Sequence, residues 1–241
     1  MLWLLAVSVV GLEIPYPLVH GDARTSLTIA TVLVFAAFSL LHAMSTRSTS
    51  YVLVLVAVGV LGLGVDIVGV HSGVPFGPYR YADDLGPQVL GVPALIGAAW
   101  LMMAHPAMTL ARRLSSTRRG RWLVGAIALA SWDVFLDPQM VAARHWRWAH
   151  SSLHVPGIAD VPLSNFGGWL LVALLLTALL VWRDDEPRFG GSDAPAVALW
   201  SWTWLSSTLA NLAFFARPAV AAWGFVAMGV VGVPLTRSVA Q

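Results

Sequence analysis

The sequence contains no cysteine, which excludes disulfides, thiolate metal sites and a cysteine nucleophile. It contains no lysine either. All 14 basic residues are arginine, so Schiff-base chemistry, including retinal attachment, is excluded. Charge of both signs is scarce. Only 11% of the 241 residues are charged and 58% are apolar, whereas a soluble domain carries about a quarter charged residues. That shortage runs along the whole chain and indicates an integral membrane protein. The net charge of +2 comes from a few loops and calls for no nucleic-acid partner. No Walker loop, dinucleotide fingerprint or G-x-S-x-G elbow is present, so phosphoryl transfer, hydride transfer and serine hydrolysis have no support.

What the chain does have is long apolar segments. Eight are expected as helices, near 2–19, 26–44, 51–70, 91–110, 121–140, 163–182, 194–216 and 219–235. Each approaches the ~20 residues needed to cross hydrocarbon. The last is the weakest, being short and ended by Pro234. The expected fold is all-α: a polytopic integral membrane helical bundle of about 7–8 transmembrane helices, a single membrane domain over 1–241. The N-terminus resembles a signal peptide but lacks a basic start and carries Glu13 and Pro15 near the cleavage position, so a retained first helix is expected.

Loop charge gives an orientation. Arg112, Arg113, Arg118, Arg119 and Arg121 form the densest basic cluster, which the positive-inside rule puts in the cytoplasm. Alternation then puts loops 71–90 and 141–162 together on the outer side of the cell membrane. The 183–193 loop reads as a plain solvated connector. Glu13, Asp66, Asp133 and Asp137 fall in the outward halves of their helices, with Arg217 on the same side. Asp133 and Asp137 are four apart and share a helical face. An ionisable group in a span is costly and faces the bundle interior with a partner, and Asp133 is the deepest of the four.

There is a weak internal repeat of a helix pair. Val92-Pro93 and Trp100 align without gaps with Val161-Pro162 and Trp169, each copy opening a helix with Pro in its first turn. Loop 71–90 holds Phe76, Tyr79 and Tyr81 between Gly and Pro turns. Loop 141–162 holds His145, Trp146, Trp148, His150 and His154. The histidine spacing lacks a carboxylate at a standard offset, so no metal site is expected. Trp200, Trp202 and Trp204 are expected to form an interfacial belt, while Ser206, Ser207, Thr208 and Asn211 pack against neighbouring helices.

Buried acids beside aromatic loops point to acid chemistry in an apolar site. A desolvated carboxylic acid keeps its proton and is able to protonate an electron-rich alkene. Trp and Tyr faces stabilise the resulting cation. A second, ionised carboxylate orients water and takes its proton.

Asp66, Gly69, Gly73, Pro75, Phe76, Gly77, Tyr79 and Tyr81, then Leu85-Gly86-Pro87, Gly91-Val92-Pro93 and Trp100, resemble the signature of the carotenoid biosynthesis membrane-protein family, which includes the carotenoid 1,2-hydratases of the bisanhydrobacterioruberin hydratase type. Asp133, Asp137-Pro138, Met140, Trp146, Trp148, Val161-Pro162, Asn165-Phe166 and Gly168-Trp169 are similar to its second motif. The two blocks cover 66–169. The resemblance implies hydration of the terminal C1–C2 double bond of an acyclic carotenoid end group, with no cofactor. One position departs: the family pattern has Glu where this chain has Asp66, which draws the carboxylate back by one methylene. The roles expected are Asp133 as proton donor, Asp137 or Asp66 orienting water, and Phe76, Tyr79, Tyr81, Trp146, Trp148 and Trp169 lining the end-group pocket, with Asn165 positioning. A carotenoid cyclase and a non-catalytic carotenoid- or lipid-binding protein remain alternatives, and association with other membrane enzymes of the carotenoid pathway stays open.

Overall fold

Backbone groups in hydrocarbon must pair within the chain, which favours helices. The computed structural model describes residues 1–149, 153–184 and 191–239, and helices dominate it. They are α1 (Leu2–Glu13), α2 (Gly21–Thr46), α3 (Thr49–Ser72), α4 (Leu95–Leu114), α5 (Arg118–Ala130), α6 (Asp133–Ala142), α7 (Leu163–Trp182), α8 (Ala194–Ala213) and α9 (Pro218–Val239), with a short 3-10 turn at Tyr16–Leu18. Among the described residues, four helical stretches are long and apolar enough to cross a membrane: Gly21–Thr46, Thr49–Ser72, Leu163–Trp182 and Pro218–Leu235. The protein is thus an all-α membrane protein. α4 and α8 are each 20 residues long but fall outside that set. α4 instead runs through the middle of the bundle, buried without interruption from Trp100 to Ala111 and packed on α2, α3, α5 and α8.

Two helix expectations are corrected. The segment 121–140 is not one helix; it breaks at Ser131 and Trp132 into α5 and α6. The halves serve different neighbours, α5 packing on α4 and α7 while α6 packs on α9. Phe135 of α6 lies where a Cβ on Gly224 of α9 would stand 2.3 Å from its ring, so the re-aimed half-helix closes onto a glycine. The last helix does not stop at Pro234, which lies inside α9.

The loops contain short antiparallel ribbons. β1 (Tyr79–Tyr81) pairs with β4 (Trp146–Trp148), β2 (Gln88–Val89) with β3 (Val92–Pro93), and β5 (His154–Val155) with β6 (Ile158–Pro162). The β1–β4 register sets Tyr79 against Trp148, Arg80 against Arg147 and Tyr81 against Trp146. Strand alternation puts the aromatics on one face and the arginines, both exposed, on the other. This ribbon joins the two long loops at one end of the bundle. Pro93 and Pro162 close strands rather than sitting inside a first helical turn: α4 begins at Leu95, and Pro162 is the residue that caps α7.

Glycines let the loop sink into the bundle. α3 ends at Gly73, whose φ of 74° is the left-handed cap that favours glycine. Phe76 then wedges between α3 and α7. A Cβ on Gly69 would lie 2.9 Å from its ring and one on Gly168 2.8 Å. Deeper, Trp100 of α4 covers Gly62 of α3, where a Cβ would meet its Cγ at 2.4 Å.

Trp100 is also stacked on Trp169 at 4.1 Å, so it has no free direction in which to move. Overpacking a fixed core costs about 1–3 kcal/mol. Gly62→Ala is therefore expected to lower the thermal unfolding midpoint of the detergent-solubilised protein, measured by tryptophan fluorescence. A control Gly64→Ala, where a Cβ meets nothing within 4 Å, is expected to leave it in place.

Candidate functional site

Asp66 lies near the end of α3 and is 6% exposed. Three donors reach its carboxyl. The hydroxyls of Tyr79 and Tyr81 donate to Oδ1 at 2.7 Å each, and Trp100 Nε1 donates to Oδ2 at 2.8 Å. A set made of donors suits the ionised, acceptor-only carboxylate. The first two donors come from β1, the third from α4, so Asp66 ties the ribbon to the central helix. One methylene shorter than the family pattern, the carboxyl is met by long donors that reach to it.

Asp133 and Asp137 open α6 and project from one face of it. The backbone break just before Asp133 aims them inward. Asn165, at the start of α7, bridges them: its amide donates to Asp133 Oδ2 at 2.8 Å and, in a short hydrogen bond, to Asp137 Oδ2. Trp146 Nε1 donates to Asp137 Oδ1 at 3.0 Å. The two carboxyls also contact each other directly. Asp133 has no exposed surface, and its Oδ1 has no hydrogen-bond partner among the described residues.

Both acid groups meet one cavity of about 540 Å³. Asp66 and Asp137 line it, together with Phe76, Tyr79, Tyr81, Trp146, Trp148, Asn165 and Trp169. Asp133 does not; it lies behind Asp137 and Asn165. The walls are built from paired rings. Tyr79 stacks on Trp148 at 5.6 Å, and Tyr81 meets Trp146 edge-on at 5.4 Å, both across the ribbon. Trp100 and Trp169, the matching tryptophans of the sequence repeat, stack face to face, and Trp132 meets Trp169 at 6.0 Å. Such pairs contribute about 0.5–1.5 kcal/mol each beyond their buried area and hold the rings at fixed angles. Trp148 Nε1 donates to the Phe76 carbonyl at 3.0 Å, closing the wall where the two loops meet.

Several expectations around the site change. The tryptophans of α8 do not form an interfacial belt. Trp200 is fully buried and donates to the Ala128 carbonyl, Trp204 donates to the Phe225 carbonyl, and Trp202 lines the cavity with its Nε1 on Glu13. Each indole has found an acceptor inside the bundle, which removes the reason to sit at an interface. The histidines of the second loop do not converge: His145 is buried and contacts Asp84 at 2.8 Å, His154 is exposed, and His150 lies outside the described residues. The 183–193 segment is not merely a solvated connector. Asp184 is buried and ion-pairs with Arg112 and Arg121, and Asp193 pairs with Arg47, whose side chain is 3% exposed. Residues 185–190 of that segment lie outside the described residues.

Sequence reasoning missed two features. Trp100 was a motif residue without a role, and nothing local to it signals a partner 34 positions away. The ribbon did have a signal: Tyr-Arg-Tyr and Trp-Arg-Trp each alternate with the period of a strand. Three residues is too short a run for that pattern to stand out beside an 18-residue loop of turn formers.

The chain matches the model of a family described as "Carotenoid biosynthesis protein" over residues 25–233. It is also 34% identical over 140 residues to a protein named bisanhydrobacterioruberin hydratase from Haloarcula japonica. That alignment takes in 52% of this chain and 43% of the relative, so the chain spans less than half the length of the relative it matches. No solved structure matches the chain. The family match covers most of the sequence, including both motif blocks and every residue of the Asp66 and Asp133–Asn165–Asp137 clusters, and the chain belongs to the carotenoid biosynthesis protein family.

Proposed function

We propose that this protein is a carotenoid hydratase that adds water across the terminal C1–C2 double bond of an acyclic carotenoid end group. The observation that carries the reading is the buried Asp133–Asn165–Asp137 bridge opening through Asp137 onto an aromatic cavity. Membership of a carotenoid-modifying family and the hydratase name of the similar protein favour the same chemistry.

In this scheme the end group enters the cavity with its alkene over Asp137. Two carboxyls in contact cannot both be ionised at low cost, so the pair shares a proton. Asp137 gives that proton to C2, forming the C–H bond and leaving a tertiary cation at C1. Asp133 then carries the hydrogen-bonding role of the partner in the now anionic pair, and Asn165 holds both carboxyls in place. The faces of Tyr81, Trp146 and Trp169 stabilise the cation, a contribution of about 2 kcal/mol or more per well-placed ring in a desolvated site. Asp66, held by three donors, supplies a fixed negative charge on the same cavity. Water attacks C1, and its surplus proton returns to the Asp133–Asp137 pair. The balance is alkene plus water to tertiary alcohol, with no redox change and no cofactor.

We further propose a multi-pass arrangement of seven to eight spans in the cell membrane, as one domain, with the arginine cluster around 112–121 cytoplasmic and the paired loops outside. α4 and α8 have the length for it and lack only apolarity, which their position inside the bundle makes unnecessary.

Expression in a bacterium that accumulates acyclic carotenoids is expected to yield pigment heavier by one or two waters. In D2O each hydrated end is expected to carry one non-exchangeable deuterium at C2. An unchanged mass with shifted absorption would replace hydration by cyclisation. Asp137→Asn removes the transferable proton while keeping the Asn165 and Trp146 contacts, and is expected to reduce product at least about a hundredfold. Full turnover in that variant, with normal membrane abundance, would remove Asp137 from the mechanism. Trp100→Phe keeps a ring against Trp169 but deletes a donor to Asp66. A smaller fall is expected there, about tenfold, measured as product per unit of membrane-inserted protein.

A further inference from the structure

The cavity has a second polar end that the hydration scheme does not use. It is built where the end of α1 and the following 3-10 turn meet α2 and α8. Glu13 lines the cavity there, its Oε2 accepting from Trp202 Nε1 at 2.7 Å. Tyr16 is 8% exposed, with its ring edge-on to Phe215 at 6.4 Å and the Arg24 guanidinium 5.3 Å from its centroid. Its hydroxyl is buried and has no hydrogen-bond partner among the described residues, and the same holds for Oγ1 of Thr31. Tyr16 and Thr31 both line the cavity.

Buried hydroxyls are normally paired. Two unpaired ones beside a carboxyl, on the wall of one cavity, mark a place for a ligand atom. The surroundings define its chemistry. Glu13 disfavours an anion and Arg24 disfavours a cation, which leaves a neutral group. Tyr16 and Thr31 offer protons while Glu13 accepts one, so the group must both accept and donate. An alcohol does both; a ketone or ether would leave Glu13 without a donor.

We propose that this end of the cavity is a hydroxyl-binding subsite for an alcohol carried on the same isoprenoid end group whose alkene reaches Asp137. The proposal rests on the hydration reading of the cavity. A single cavity of about 540 Å³ holds both polar ends. The remote end of a polyene long enough to span a bilayer of ~30 Å is out of reach, so the alcohol lies within a few bonds of the reacting alkene. Ile14 and Leu209 line the same cavity while remaining 58% and 60% exposed. The subsite therefore borders an opening on the apolar flank, through which the rest of the chain leaves into lipid.

The test compares two polyenes of one carbon skeleton, one carrying a tertiary alcohol a few bonds from the terminal alkene and the other without it. The wild-type protein is expected to favour the alcohol-bearing polyene in kcat/KM. Tyr16→Phe, which keeps the ring against Phe215 and Arg24, and Thr31→Val, which keeps the side-chain shape, are each expected to reduce that preference about twofold to tenfold. The Kd ratio of the two polyenes, read by quenching of tryptophan fluorescence, is expected to move in parallel. Because binding needs no turnover, this ratio still decides the subsite if no hydration occurs, so failure of the hydration reading is seen separately. An equal affinity of the wild-type protein for both polyenes would overturn the proposal, and so would variants that weaken both polyenes equally.

Discussion

A carboxylate buried in a membrane bundle must be met by donors, and the rest of this site depends on how Asp66 meets that demand. Its three donors come from two separate segments, the Tyr79–Tyr81 strand and the central helix α4. Each donor is also part of an aromatic pair. Tyr79 stacks on Trp148, Tyr81 meets Trp146, and Trp100 stacks on Trp169. Satisfying one charge thus fixes six rings, and those rings are most of the cavity wall. The glycines at 62, 69 and 168 follow from the same need, because they let Trp100 and Phe76 come close enough for the loop to be drawn into the bundle.

The second acid group is governed by a backbone event. The break before Asp133 separates α5, committed to α4 and α7, from α6, which turns to α9. A continuous helix would have held both sets of contacts to one axis. With α6 free to re-aim, Asp133 and Asp137 meet Asn165 at the start of α7, and only Asp137 reaches the cavity. Two aspartates one turn apart thereby have different surroundings, which is the condition for giving two acids different roles.

Charge at the opposite end of the bundle is handled by pairing. Asp184 holds Arg112 and Arg121, and Asp193 holds Arg47. Behind them His42 contacts His105 at 2.8 Å, and Tyr51 contacts His105 at 3.2 Å. Those polar groups close on one another and leave nothing turned to a cavity. Around the large cavity the opposite holds: Asp137 and the Tyr16 and Thr31 hydroxyls face open space. The contrast separates polar groups that hold the bundle from those presented to a ligand.

The sequence by itself determined the membrane class, the approximate place of the apolar helices and the membership of the two motif blocks. These rest on composition and on runs of local sequence, which need no knowledge of what packs where. It also brought forward Asp66, Asp133, Asp137 and the aromatic loop residues, because a charge in an apolar run is conspicuous on its own. Only the tertiary structure decided that 121–140 breaks, since the break answers to α9 and not to any local helix breaker before Asp133. Only the tertiary structure gave Trp100 and Trp202 their acceptors, in Asp66 and Glu13, and set Asp133 behind Asp137 and Asn165. An indole N–H or a carboxyl oxygen is satisfied by whatever the fold brings within 3 Å, and partners 34 or 189 positions away leave no mark in the local sequence.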